Sequence, residues 1–89
     1  MYDRALKLLR QYHRLSQVDL ANQIDISKSY LNEIEKGKKQ PSLDILQKYA
    51  DGFDIPISSL MLFAERSQGN NLENIRIYAA DKVLKMLEA

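Results

Sequence analysis

Residues 16–37, SQVDLANQIDISKSYLNEIEKG, hold two helix starts, a tight turn and a helix stop in quick succession. Ser16 with Asp19 three residues later resembles a capping box. The hydroxyl accepts a backbone N–H while the carboxylate sits near the positive end of the helix dipole, so a helix begins at Gln17. Leu20, Ala21 and Ile24 give that helix one apolar face before Asp25 and Ile26 interrupt it. Ser27 is a good N-cap for a second helix running from Lys28 to Lys36. Gly37, which takes left-handed backbone cheaply, is its expected terminator.

Projected at about 100° per residue, the second helix places Leu31 and Ile34 on one side and Lys28, Ser29, Asn32, Glu33 and Lys36 on the other. The apolar side faces the first helix. The outer row can hydrogen-bond base edges: Lys to guanine O6/N7, Asn to adenine N6/N7, Glu to cytosine N4, Ser to several. Polar residues on an outward face are also what any surface helix shows, so the face alone does not separate a DNA reader from a solvated helix.

The longer run SQVDLANQIDISKSYLNEIEKGKKQPSLDILQKYA resembles the helix-turn-helix family of phage repressors and Cro-type, or XRE-like, regulators, and the likeness extends from Leu6 to about Leu60. The resemblance implies an all-α, five-helix DNA-binding domain from a bacterium or phage. In it, Gln17 starts the first helix of the motif and clamps a phosphate, and Leu20-Ala21 packs the two helices together. It places Lys28, Ser29 and Glu33 at bases, and Ser27, Tyr30 and Asn32 more often at the DNA backbone. Asn32 also belongs to the outer row, so base contact is expected of it as well. Arg10 lies on an earlier helix and Glu35 at the edge of the buried side of the reading helix; the resemblance implies that they pair across the core. The chain departs from the family at Asp25 and Asp54, both frequent glycine positions. Asp tolerates left-handed geometry better than most residues, so the fold should survive.

Eighty-nine residues allow one compact domain with a thin core, near the size at which a second chain helps. No cysteine is present, which excludes disulfides and thiolate metal sites; one His and scattered acids offer no metal cluster, and no cofactor is expected. No nucleophile–base pairing, carboxylate pair at a recognisable spacing or glycine-rich phosphate loop argues for an enzyme. The amino terminus is amphipathic and charged rather than a signal peptide, and no apolar run approaches a membrane span, so a cytoplasmic protein is expected. Net charge is only +1, yet residues 1–40 carry eight Lys/Arg against five Asp/Glu, or +3, and residues 41–89 five against seven, or −2. Lys36, Lys38 and Lys39 cluster past the reading helix, where the chain can pass a phosphate strand; an ordinary solvated turn is the alternative.

The flanking helices hold the motif. A first helix from Tyr2 to about His13 carries Ala5, Leu6, Leu9 and Tyr12 on one side, with Leu15 closing the return. His13 reads as a surface residue. Pro41-Ser42 stops one segment and caps a fourth helix with Leu43, Leu46 and Ala50 inward, which Gly52 should break. Ile55-Pro56 opens a fifth with Ile57, Leu60, Met61 and Phe63. Tyr30 and Tyr49 read as packing or phosphate contacts.

The expected organisation is a DNA-binding domain at 1–66, a hinge at 67–71 and a carboxy-terminal helix at 72–89. That helix carries Leu72, Ile75, Ala79, Val83 and Met86 in one stripe, with Ala80, Leu84 and Leu87 beside it. Its apolar arc, roughly 160°, is wide for a single contact. Homodimerisation through this helix, helped by Met61 and Phe63, is expected over purely internal packing. A dimer on a two-fold DNA repeat, acting as a repressor, is the leading functional reading, repression being preferred only because it is the commoner role in the resembling family. An antitoxin-like autoregulator gripping a partner protein with the carboxy-terminal helix is the alternative.

Overall fold

Serine side chains start three of the five helices in the computed structural model, which describes residues 2–66 together with Ala80, Leu84 and Leu87. In chain order the helices are α1 (Tyr2–Tyr12), α2 (Gln17–Gln23), α3 (Lys28–Glu35), α4 (Leu43–Phe53) and α5 (Ile57–Arg66), with no strand among the described residues. Ser16 Oγ accepts from the Asp19 N–H at 3.0 Å, Ser27 Oγ from Tyr30 at 3.0 Å and Ser42 Oγ from Ile45 at 3.3 Å. Each satisfies a backbone donor that the helix cannot, an effect of about 1 kcal/mol.

The first four helices also share one way of stopping. A left-handed residue follows each, and the next N–H reaches back to a carbonyl in the last turn: Leu15 to Arg10 (3.1 Å), Ile26 to Ala21 (3.0 Å), Lys38 to Glu33 (2.9 Å) and Ile55 to Ala50 (3.0 Å). The left-handed residues are Arg14 (φ 57°), Asp25 (φ 59°), Gly37 (φ 76°) and Asp54 (φ 57°). Only Gly37 occupies that region without steric cost. Asp25→Gly is therefore expected to raise the melting temperature by a few degrees, from relief of about 0.5–1 kcal/mol, and to leave DNA binding intact. Thermal melts and a binding titration check it, and a clear loss of binding would assign the carboxylate a role in recognition.

Gly52 does not end α4. The helix continues through Phe53 and turns at Asp54. Glycine stands at 52 because α2 approaches closely: a Cβ there would lie 2.5 Å from Ile24 Cγ2, and Gln23 Nε2 donates to the Gly52 carbonyl at 2.8 Å.

The core draws on every helix, including Leu6 and Leu9 of α1, Leu20 of α2, Leu31 and Ile34 of α3, Tyr49 and Phe53 of α4, and Leu60 and Phe63 of α5, each nearly or wholly buried. Helices α1 and α2 both pack on α3, while α4 packs on α5 and α5 on α1. Helix α3 is thus gripped from two sides.

Four positions differ from the periodicity reading. Tyr12 and Leu43, expected inward, are largely exposed because they lie at helix ends, beyond the reach of the facing helix. His13, expected at the surface, is half-buried and stacks on Phe53 with ring centroids 4.9 Å apart and an interplanar angle of 16°, closing the edge of the core. Phe63, expected at a dimer contact, is buried in the domain's own core at 3% exposure. Met61 is half-buried against that core. The expected hinge at 67–71 and the positions Leu72, Ile75, Ala79, Val83 and Met86 lie outside the described residues. Ala80, Leu84 and Leu87 are helical and exposed, the two leucines at 59% and 78%.

Candidate nucleic-acid interface

Helix α3 presents the outer row that its periodicity assigns. Lys28 and Ser29 are exposed, Asn32 and Glu33 half-buried, and Leu31, Ile34 and Glu35 buried beneath them. Ser27 caps the helix at its exposed start, and Tyr30 is half-buried against the core. After the helix the chain folds back over Glu33: the N–H groups of Lys38 and Lys39 both donate to the Glu33 carbonyl, at 2.9 and 3.3 Å. This turn brings exposed Lys36, Lys38 and Lys39 to the same end of α3, where Lys39 Nζ lies 3.8 Å from the Glu33 carboxylate. An exposed pair at that distance contributes little to stability. Its effect is to hold one cation beside the carboxylate of the outer row.

Beneath this surface lies a polar network that fixes the helix. Arg10 of α1 makes a two-pronged contact with Glu35: Nε donates to Oε2 at 2.7 Å and Nη2 to Oε1 at 3.0 Å. Its remaining nitrogen, Nη1, donates to the Leu15 carbonyl at 2.8 Å. The Arg10 and Glu35 side chains are 13% and 2% exposed. Paired forks of this kind add orientation as well as energy.

Gln17 joins the network from α2. Its amide Nε2 donates to Glu35 Oε1 and to Asn32 Oδ1, each at 3.1 Å. The side-chain donors of the expected phosphate clamp are therefore turned inward, onto α3. Local spacing carried no signal for this arrangement, since the partners lie 15 and 18 residues away in sequence.

Tyr49 lies in the core behind the ion pair, fully buried, and its hydroxyl has no hydrogen-bond partner among the described residues. Burial pushes the phenol above its usual range; the Glu35 charge adds to the rise and Arg10 opposes it. Tyr49 is a packing residue, away from any phosphate. Among the described residues no group of His, Asp or Glu could hold a metal ion, and no helix is long and apolar enough to cross a membrane.

A two-helix motif with its second helix locked from beneath and polar on its outer side defines a helix-turn-helix protein. The helix-turn-helix family matches residues 6–60, and the chain belongs to it: a family of DNA-binding transcriptional regulators, not of enzymes. It is 37% identical over 60 residues to an uncharacterised HTH-type transcriptional regulator of Methanocaldococcus jannaschii, covering 67% of this chain and 91% of that one. It is 38% identical over 60 residues to the control protein C.MunI of a Mycoplasma species, covering 67% and 81%. Against the immunity repressor protein of Bacillus phage phi105 it is 36% identical over 56 residues, covering 63% of this chain but 39% of that longer protein.

Proposed function

We propose that this regulator is a cytoplasmic, bacterial or phage-encoded repressor that binds a two-fold symmetric operator as a homodimer. The observation that carries the reading is the outer face of α3: Lys28, Ser29, Asn32 and Glu33 stand on a helix held rigidly by Leu31, Ile34 and the Arg10–Glu35 pair. Lys28, Ser29, Asn32 and Glu33 meet base edges in the major groove. Ser27, Tyr30, Lys36, Lys38 and Lys39 meet phosphates on either side. Gln17 meets a phosphate through the backbone N–H at the start of α2, its side-chain donors being spent on α3.

One such helix covers only a few base pairs. Two copies about one DNA turn apart (roughly 34 Å) read an inverted repeat, and occupancy of a promoter by the dimer excludes polymerase. The exposed Leu84 and Leu87, with Met61 at the domain's edge, supply the apolar surface for pairing. The repressor named among the relatives supports the sign of regulation.

Selection of bound sequences from random duplex DNA tests the whole reading. An inverted repeat with half-sites one turn apart is expected, and failure to enrich any sequence would overturn it. Lys28→Ala should change which bases are selected. Lys38→Ala should weaken all sequences alike and lower the salt slope by about one. Identical behaviour of the two variants would remove the division between base and phosphate contacts.

A further inference from the structure

The polarity of one hydrogen-bond chain dictates what α3 can offer DNA at Asn32. A guanidinium only donates and a carboxylate only accepts, so Arg10 and Glu35 leave no ambiguity at the core end of the chain. Glu35 Oε1 also lies 3.1 Å from the Gln17 amide, which must therefore present Nε2 rather than its oxygen. That NH2 group has two protons and no acceptor, and its second contact, again at 3.1 Å, is the Asn32 amide. Asn32 must in turn face it with Oδ1. Amide oxygen and nitrogen are otherwise easily interchanged, but here one flip would set oxygen against carboxylate and the other would set NH2 against NH2. The Asn32 Nδ2 makes no hydrogen bond within the described residues.

We propose that Asn32 acts on DNA as a hydrogen-bond donor, its polarity set from the Arg10–Glu35 pair through Gln17, and that Gln17 is the positioning residue for this contact. The partner is then an acceptor: guanine O6/N7, adenine N7 or thymine O4 on a base edge, or a phosphate oxygen. Bidentate reading of adenine, the usual use of asparagine, needs the oxygen and the nitrogen together on one base edge. Here the oxygen is held toward α2. The inference rests on the reading that the outer face of α3 enters the groove.

Asn32→Asp is the decisive variant because an aspartate oxygen still accepts from Gln17 while the donor is replaced by a carboxylate. Affinity for the parent's selected sequence should fall about tenfold or more. If the partner is a base, selection with the variant should shift the preferred base pair at one position per half-site toward one that presents cytosine N4 or adenine N6 there. If it is a phosphate, the selected sequence should stay and every sequence weaken equally. Gln17→Met should remain folded by circular dichroism and reproduce the loss of Asn32→Ala, with the two non-additive in a double-mutant cycle. A purely structural Gln17 would lower stability without that coupling.

Parent-like affinity of Asn32→Asp would overturn the donor assignment. So would additive losses for Gln17 and Asn32 overturn the positioning role. Should Lys28→Ala shift the selected bases while Asn32→Asp changes nothing, only this inference falls. If neither variant alters selection or affinity, the groove reading itself fails.

Discussion

Replacing Arg10 by alanine is expected to destabilise the domain by about 3–5 kcal/mol, because it strands a buried Glu35 without its counter-charge. For a chain of this length that corresponds to a fall in melting temperature of more than about ten degrees. The loss is not the energy of the ion pair. Desolvation offsets most of the attraction when both partners are present, and the penalty appears when one is left alone. The Leu15 carbonyl also loses its donor, and Gln17 is left bridging to a lone carboxylate. A double replacement of Arg10 and Glu35 by apolar residues of similar size should recover a large part of the loss in stability while loosening the seat of α3. Thermal melts followed by circular dichroism decide the matter. A single variant that melted like the parent would show that the pair does not hold the core.

The second large effect is expected at the far end of the chain. Leu84→Glu combined with Leu87→Glu should convert the proposed dimer into a monomer by light scattering and lower affinity for the proposed operator about a hundredfold or more, since linked half-site binding is lost. Both side chains stand largely exposed, so the substitutions should leave the melting of the domain nearly unchanged. Truncation after Arg66 should give the same monomer. If either variant stayed dimeric, the pairing surface would have to be sought elsewhere.

Much of this architecture can be read from single residues. Ser16, Ser27 and Ser42 announced three helix starts because capping is local, decided within three residues, and Gly37 announced a stop for the same reason. Burial of Leu31 and Ile34 followed from periodicity. What stayed hidden was set by neighbours distant in sequence. Gly52 looks like a terminator until α2 is laid across it. Tyr12 and Leu43 share the angular position of core residues, but periodicity fixes an angle and not the length of the facing helix. Phe63 fits an intermolecular stripe equally well until α5 is docked on α4. Arg14 carries no turn signal at all, its left-handed backbone being imposed by the closure of α1. The Arg10–Glu35 pair is legible only through the family likeness; the link from Gln17 to Asn32 is not legible, because no local rule connects them.

Three of the four helix corners are closed by residues that resist the backbone shape they hold. Each carries its own small steric penalty. One of them, Asp25, is the joint that precedes α3, so backbone cost is held immediately before a helix that itself rests on the buried Arg10–Glu35 pair.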